Sequence, residues 1–214
     1  MVMESRGAGV KAVIFDCDGV MFDSREANEA YYNTILAQFG KPKMDTQQAE
    51  YVHMNTATQS VTYLFQGDSR LSEALAFREV MSYMRFIPMM RMEPYLRTLL
   101  PKLNVHYKTA IATNRSDTMA AVLEEHGLTA SFDLVVSSLD VRSPKPAPDA
   151  LVKILKHFDI DSREAVYVGD SKVDELTADA AHVPFIAYKN PQLSADRHMN
   201  HFKELEAWLF SEGE

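Results

Sequence analysis

Cysteine is nearly absent: Cys17 is the one thiol in 214 residues, so the chain offers no internal disulfide and no cysteine-built zinc site. Such a chain suits a reducing compartment. Positive charge is also short, with 22 Lys and Arg against 30 Asp and Glu and a net charge of -8. A field of that sign repels nucleic-acid phosphates and anionic lipid, which disfavours a general nucleic-acid or membrane-surface binder. Long apolar runs are missing too, because charges interrupt every stretch before the ~20 residues a membrane span needs. Met1 to Lys11 holds Glu4, Arg6 and Lys11 with two glycines, so no apolar leader segment is read there, and the expected location is cytoplasmic. None of the 8 glycines completes G-x-G-x-x-G or G-x-x-x-x-G-K-[ST], which removes the dinucleotide fingerprint and the nucleotide P-loop. No internal repeat or low-complexity tract is present.

What is present is ordinary globular composition, 46% hydrophobic and 24% charged, in a length that fits one large domain or a core with a modest insert. Ala12 to Phe15 is a short apolar run that ends abruptly in acidic residues and glycine, as a buried strand does where it meets solvent. Similar runs follow at Thr109 to Thr113, Leu134 to Ser137, Ala165 to Gly169 and Pro184 to Tyr188. Helical patterns lie between and after them, at Asp117 to His126 closed by Gly127, Asp149 to Phe158, Val173 to Ala181 and Arg197 to Phe210. Alternating strand and helix implies a parallel α/β sheet covered on both faces.

Residues 23 to 93 break the alternation, reading as helices without an apolar strand. Asp23 with Glu26 suggests a capping box for a helix closed at Gly40, and Asp45 with Gln48 a second for a helix toward His53. A third helix is expected from Thr58 to Phe65 and a fourth from Ser72 to Ile87, with Pro94 in the first turn of the helix that returns to the sheet. The expected division is a core of residues 1–22 and 94–214 and an all-helical cap of residues 23–93.

Chemistry concentrates at the strand ends. In Val13-Ile14-Phe15-Asp16-Cys17-Asp18-Gly19 two carboxylates project where open α/β sheets bind ligands, although Asp-Gly also suits a plain turn. Thr113-Asn114-Arg115-Ser116 offers a hydroxyl and amides at a helix start, a place for phosphate, with Ser116 or Asp117 as the helix cap. Ser143-Pro144-Lys145-Pro146 stiffens the chain around one lysine, and Gly169-Asp170-Ser171-Lys172-Val173-Asp174 returns carboxylates to a strand end that also caps a helix.

These four segments, in this order, resemble the haloacid dehalogenase superfamily of phosphohydrolases across nearly the whole chain. DGVMFDS, SPKPAPD and GDSKVDE look most like its phosphoglycolate phosphatase and β-phosphoglucomutase group. The resemblance implies a Rossmann-like parallel core with an inserted helical cap. It makes Asp16 the nucleophile that becomes an aspartyl phosphate. Asp18 becomes the general acid and base, Thr113 and the Asn114 amide hold the phosphoryl group, and Lys145 neutralises it. Mg²⁺ would bind Asp16, the Asp18 carbonyl and Asp170, with Asp174 ligating or orienting its waters.

Charge then makes a demand. Four aspartates, a divalent cation and Lys145 sum to -1, a poor receptor for an anion, so Asp18 is expected to carry a proton and to titrate above an isolated aspartate when the metal is bound. Residues 44 to 69 contain no Lys or Arg, which counts against a bisphosphate mutase and mildly against phosphoglycolate unless Arg25, Arg70, Arg78 or Arg85 supplies charge. The expected partner is a small phosphorylated metabolite, with no nucleic acid and no membrane, and the chain acts as a monomer or homodimer. A β-phosphoglucomutase-like mutase and a non-catalytic binding protein are the alternatives.

Three remaining features have plain readings. Cys17 reads as a small buried hydrophobe. The seven methionines from Met44 to Met92 read as packing between cap and core. His198 and His201 read as a solvated face rather than a metal pair. His53 to Ser60 either faces the leaving group or is a plain connector with its cap at Thr58, the connector being preferred.

Overall fold

The computed structural model describes residues 9–211. Most of the N-terminal stretch read for a leader therefore lies outside the described residues. Among the described residues no helix is long and apolar enough to cross a membrane.

Six strands form one parallel sheet: β1 (Ala12–Phe15), β4 (Lys108–Ala112), β5 (Leu134–Val136), β6 (Ala165–Gly169), β7 (Phe185–Tyr188) and β8 (Arg197–Met199). Their order across the sheet is β5-β4-β1-β6-β7-β8, and each neighbouring pair is parallel. Strand order reverses beside β1, where it lies against β6, and a crevice opens at such a point beyond the strand ends. Side chains alternate across the sheet. Val13 and Phe15 pack with Ile111, Val166 and Val168 on one face, whereas Ile14 packs with Ala110, Ala112 and Tyr167 on the other.

Helices α5 (Leu96–His106), α6 (Met119–Glu125), α7 (Asp149–Phe158), α8 (Lys172–Ala181) and α9 (Phe202–Phe210) cover these faces. Leu151 and Ile154 of α7 and Ala178 of α8 join the face of Ile14, while Leu99 of α5, Val122 of α6 and Leu205 of α9 join the face of Phe15.

After β1 the chain forms β2 (Phe22–Asp23), then α1 (Arg25–Gln38), α2 (Thr46–Met54), α3 (Ala57–Leu64) and α4 (Leu71–Val80). A 3-10 segment, Met84–Met89, leads to β3 (Arg91–Met92). Strands β2 and β3 pair antiparallel as a two-stranded ribbon at the base of this helical insertion. Tyr31, Ile35, Val52 and Val61 of the insertion share one apolar cluster with Phe15 and Val168, so cap and core bury a common surface. Of the seven methionines expected to pack between cap and core, Met90 is buried in that cluster and Met44, Met81, Met89 and Met92 pack on it, whereas Met84 is exposed and Met54 lies outside the cluster.

The structure corrects several local expectations. Asp23 and Glu26 form no capping box, because the ribbon holds Asp23 extended and Glu26 accepts from Arg91 Nη2 at 2.7 Å; Ser24 is the residue at the cap. The box at Asp45 and Gln48 does form, and α3 is capped by Thr56 with Gln59 rather than by Thr58. The fourth helix stops at Val80 instead of continuing to Ile87. The turn that follows brings Tyr83 inward, where its ring packs edge-on against Tyr31 at 4.9 Å. Pro94 lies before α5, which starts after Tyr95 at φ 73. Neither Ser116 nor Asp117 caps α6; Thr118 occupies the cap position, and Ser116 Oγ donates to Asp117 instead. Arg197 to Met199 is an edge strand, not the start of the last helix, and His201 caps α9 by accepting from Lys203 N at 3.0 Å.

Candidate active site

The carboxylates stand where the strands run out. Asp16 follows β1, Asp170 follows β6, and Asp174 lies in the first turn of α8. One oxygen from each lies within 4.8 Å of the others. Burial, opposed by Lys145 and reinforced by Asp174 and Asp18, pushes the Asp16 carboxyl up to about 7. Burial and the charges of Asp174 and Asp16 push Asp170 well above the ordinary carboxylate value. Three acids crowded out of water with one lysine between them form a set short of positive charge, and an all-oxygen set suits a hard divalent cation. Gly19, at φ +81, makes room for one of these acids: a Cβ there would fall on the Asp170 carboxylate. The donor set therefore fits Mg²⁺.

Asp174 differs from the other two. Its Oδ1 accepts from Lys145 Nζ at 2.7 Å and Tyr167 OH at 2.6 Å, and its Oδ2 from Ser171 N at 3.1 Å and Ser171 Oγ at 2.5 Å. Burial alone would raise its pKa, but Lys145 and these hydrogen bonds hold it below the usual carboxylate range. With four donors on two oxygens little acceptor capacity is left, so Asp174 suits the holding of Lys145 better than direct metal ligation. The Ser171 and Asp174 capping box is formed as well, so helix capping and site construction share these residues.

Lys145 is 4% exposed, with Nζ 2.8 Å from Asp16 Oδ1 and 2.9 Å from Tyr167 OH. Burial lowers its proton affinity, yet Asp16 and Asp174 outweigh that and keep it charged. The Asn114 side chain fixes the lysine's backbone, accepting from Lys145 N at 2.9 Å and donating to Lys145 O at 3.1 Å. The same amide donates to Met54 O at 3.1 Å, tying the cap to the loop. Thr113 is buried beside it, and its hydroxyl oxygen accepts from Arg115 N at 3.1 Å.

Asp18 has a cationic partner that the charge count did not include. Arg115 donates to it twice, from Nε to Oδ2 at 2.8 Å and from Nη2 to Oδ1 at 2.7 Å, and Ser24 Oγ donates to the same Oδ1. Burial alone would push the Asp18 carboxyl up, but the Arg115 charge and hydrogen bonds, with smaller help from the Ser24 hydroxyl, hold it below the usual range. Without metal, this pairing with a buried guanidinium favours the ionised form of Asp18. The signal was in the arithmetic: a deficit of -1 calls for one more cation, and Arg115 restores the sum to zero. Tyr167 was also missed, although a tyrosine in a central parallel strand must place its hydroxyl somewhere polar.

A cavity of about 320 Å³ opens over these groups, lined from the core by Asp16, Asn114 and Arg115 and from the cap by His53, Arg78 and Tyr83. The connector reading of residues 53 to 60 is corrected accordingly, since His53, Met54, Asn55 and Ala57 all line the cavity. Arg78 supplies the cap cation that residues 44 to 69 lack. Arg70 is bound to Asp68, with Nη2 2.8 Å from Oδ2, and Arg85 stacks on Phe86 at 4.8 Å. Arg25 lines a separate depression on the far side of Asp170. Cys17 is fully buried, and desolvation pushes its thiol well up, as a structural cysteine requires. His198 Nε2 meets Leu193 O at 3.0 Å and His201 caps α9, so the two do not converge on a metal.

A doubly covered parallel sheet with aspartates at the ends of adjacent strands, a buried lysine between them and a helical cap above defines an acid-site α/β hydrolase. A family model for haloacid dehalogenase-like hydrolases matches residues 13–188. The chain belongs to that family. A crystal structure of a superfamily hydrolase of subfamily IA, variant 1, from Geobacter sulfurreducens is 40% identical, superposes with a TM-score of 0.78, and is covered over 99% of its length by 96% of this chain. Among curated relatives, a phosphoglycolate phosphatase of Rhodobacter capsulatus is 27% identical over 92% of this chain and 94% of its own. Another, of Neisseria meningitidis, is 29% identical over 80% and 77%.

Proposed function

We propose that the protein is a cytoplasmic, Mg²⁺-dependent phosphatase of small phosphomonoesters that works through an aspartyl phosphate, with 2-phosphoglycolate as its leading substrate. The observation that carries this reading is Asp16, buried at the end of a central strand with Lys145 at 2.8 Å and two further carboxylates converging on it. The substrate rests on the phosphatase relatives and on Arg78 and Arg115, which offer charge to a second anionic group in the cavity.

In this reading Asp16 attacks phosphorus and the ester oxygen leaves; water then cleaves the acyl phosphate, splitting one hard displacement into two. Thr113 and the backbone amide of Asn114 hold the phosphoryl oxygens, and Lys145, kept charged and aimed by Asp174 and Tyr167, offsets their charge. Mg²⁺, held by Asp16, the Asp18 carbonyl and Asp170, would add Lewis-acid stabilisation of the phosphoryl oxygens. As an ionised carboxylate Asp18 is ready to take the proton of the attacking water. To protonate the leaving oxygen in the first step it must part from Arg115 and take up a proton from solvent, which it then gives to that oxygen; a substrate anion entering the cavity is a competing partner for the guanidinium. We divide the chain into a catalytic core of residues 1–22 and 94–214 and a cap of residues 23–93.

Phosphate release from a panel of phosphorylated metabolites, with and without Mg²⁺, tests the reading. Metal-dependent release with 2-phosphoglycolate among the best substrates supports it. Metal-dependent isomerisation of a hexose phosphate without release would replace it by the mutase, and no turnover of any ester would replace it by a binding protein.

A further inference from the structure

Two hydrogen-bond paths leave Asp18 and meet on the cap. Along the first, Arg115 Nη2 donates to Tyr83 OH at 3.2 Å, so the phenol must send its own proton onward to Asn28 Oδ1, 2.6 Å away. Along the second, Ser24 Oγ donates to Asp18, which leaves that oxygen as an acceptor for Asn28 Nδ2 at 3.5 Å. Both paths orient the Asn28 amide the same way, with oxygen toward Tyr83 and nitrogen toward Ser24. That nitrogen also faces His53 Nδ1 at 3.4 Å. An amide nitrogen only donates, so Nδ1 must accept and the ring proton must sit on Nε2.

His53 lines the active-site cavity, and its Nε2 is a buried atom with no partner among the described residues. Burial also favours the neutral ring, the form with one donor and one acceptor. A buried donor without a partner is costly unless something fills the place, and His53 belongs to the wall of the cavity above Asp16 and Arg115. Among the cations of this cavity, Arg115 is paired with Asp18, Lys145 with Asp16 and Asp174, and Arg78 with Glu79 through Nη2, its buried Nε being left without a partner among the described residues.

Building on the phosphatase reading, we infer that His53 is a specificity residue whose Nε2–H donates to an acceptor oxygen on the leaving group, and that Asn28 is a positioning residue that fixes this tautomer from the Asp18 side. The substrates favoured are phosphoesters whose leaving group carries a carboxylate or hydroxyl oxygen beyond the ester link. A site built to donate discriminates strongly against an analogue that lacks the acceptor, because the donor is then left buried and unpaired.

The experiment compares kcat/KM for 2-phosphoglycolate and ethyl phosphate, and for glycerol phosphate and propyl phosphate, in the wild type, His53→Phe and His53→Gln. The wild type is expected to prefer the oxygen-bearing member of at least one pair, His53→Phe to shrink that preference ~10-fold or more, and the donor in His53→Gln to restore part of it. A preference unchanged in His53→Phe, or one whose two members fall equally, overturns the assignment. Nitrogen-15 NMR of the metal-free protein reads the tautomer without catalysis: Nε2–H is expected in the wild type and a shift toward an Nδ1-protonated ring in Asn28→Asp, whose carboxylate demands a donor. A wild-type Nδ1–H tautomer overturns it as well. Failure of the phosphatase reading shows separately, as no phosphate from any of the four esters with Mg²⁺, and it removes the leaving-group role with it.

Discussion

Arg115 and Asp18 form a two-point buried ion pair, with contacts of 2.8 and 2.7 Å and side chains 7% and 12% exposed. Removing one member of such a pair strands the other charge out of water, at about 3 to 5 kcal/mol. Arg115→Met should therefore lower stability by that order in denaturant melts and also weaken inhibition by inorganic phosphate, since the site returns to a net -1. Arg115→Lys, which keeps the charge but not the fork, should recover part of the affinity and less of the stability. Unchanged phosphate inhibition in Arg115→Met would remove Arg115 from anion binding.

Metal binding should stabilise the protein more as pH rises. Asp16, raised to about 7, and Asp170, also raised, keep protons in the folded state that the unfolded chain has already lost above the ordinary carboxylate range. The contribution of each to stability is full below that range and is lost as pH climbs through its folded value, about 7 for Asp16. Asp18 and Asp174, held low, act in the opposite sense: their contribution is present above the ordinary range and fades as pH falls through their folded values. Mg²⁺ competes with the protons on Asp16 and Asp170, so the Tm difference with and without it isolates those two. That difference should be larger at pH 8 than at pH 5, and a larger gain at pH 5 would contradict the assignment.

Asn114 joins three pieces of chain through one amide, bonding Lys145 N, Lys145 O and Met54 O. Asn114→Leu leaves buried backbone groups unpaired, at about 1 to 3 kcal/mol. It should also lower kcat/KM by loosening Lys145, and a variant with wild-type melting and wild-type kinetics would show that the loop is held by its prolines alone.

Tyr167→Phe removes the hydroxyl that donates to Asp174 at 2.6 Å and accepts from Lys145 at 2.9 Å. A loss of about 1 kcal/mol in stability is expected, with a fall in kcat/KM smaller than that of Lys145→Ala. A fall equal to or greater than that of Lys145→Ala would make the tyrosine more than a support.

How much of this could be read from the sequence depended on range. Asp16 and Asp170 directly follow strands whose apolar runs are continuous, and Lys145 stands in a loop marked by its prolines, so these positions were locatable, and β1, β6 and α7 fall on the expected residues. The capping box at Asp45 was legible because both its partners lie within four residues. The box at Asp23 failed because its competitor, Arg91, is 65 residues away in sequence. Strands of two or three residues, such as β2, β3 and β8, are too short to carry a period, and only pairing reveals them. Arg115 was visible as a residue but not as a partner: its ion pair with Asp18 spans 97 positions. The relay from Asn28 to His53 likewise needs α1 and α2 side by side.

The central claim is that Asp16 is the group that takes the phosphoryl. Rapid acid quench of the enzyme turning over 2-phosphoglycolate labelled with phosphorus-32, in the presence of Mg²⁺, followed by peptide mapping, tests it most directly. The account predicts chain-bound, hydroxylamine-labile label on the peptide containing Asp16, and none in Asp16→Asn. Steady phosphate release with no label at Asp16, or undiminished turnover by Asp16→Asn, would contradict it.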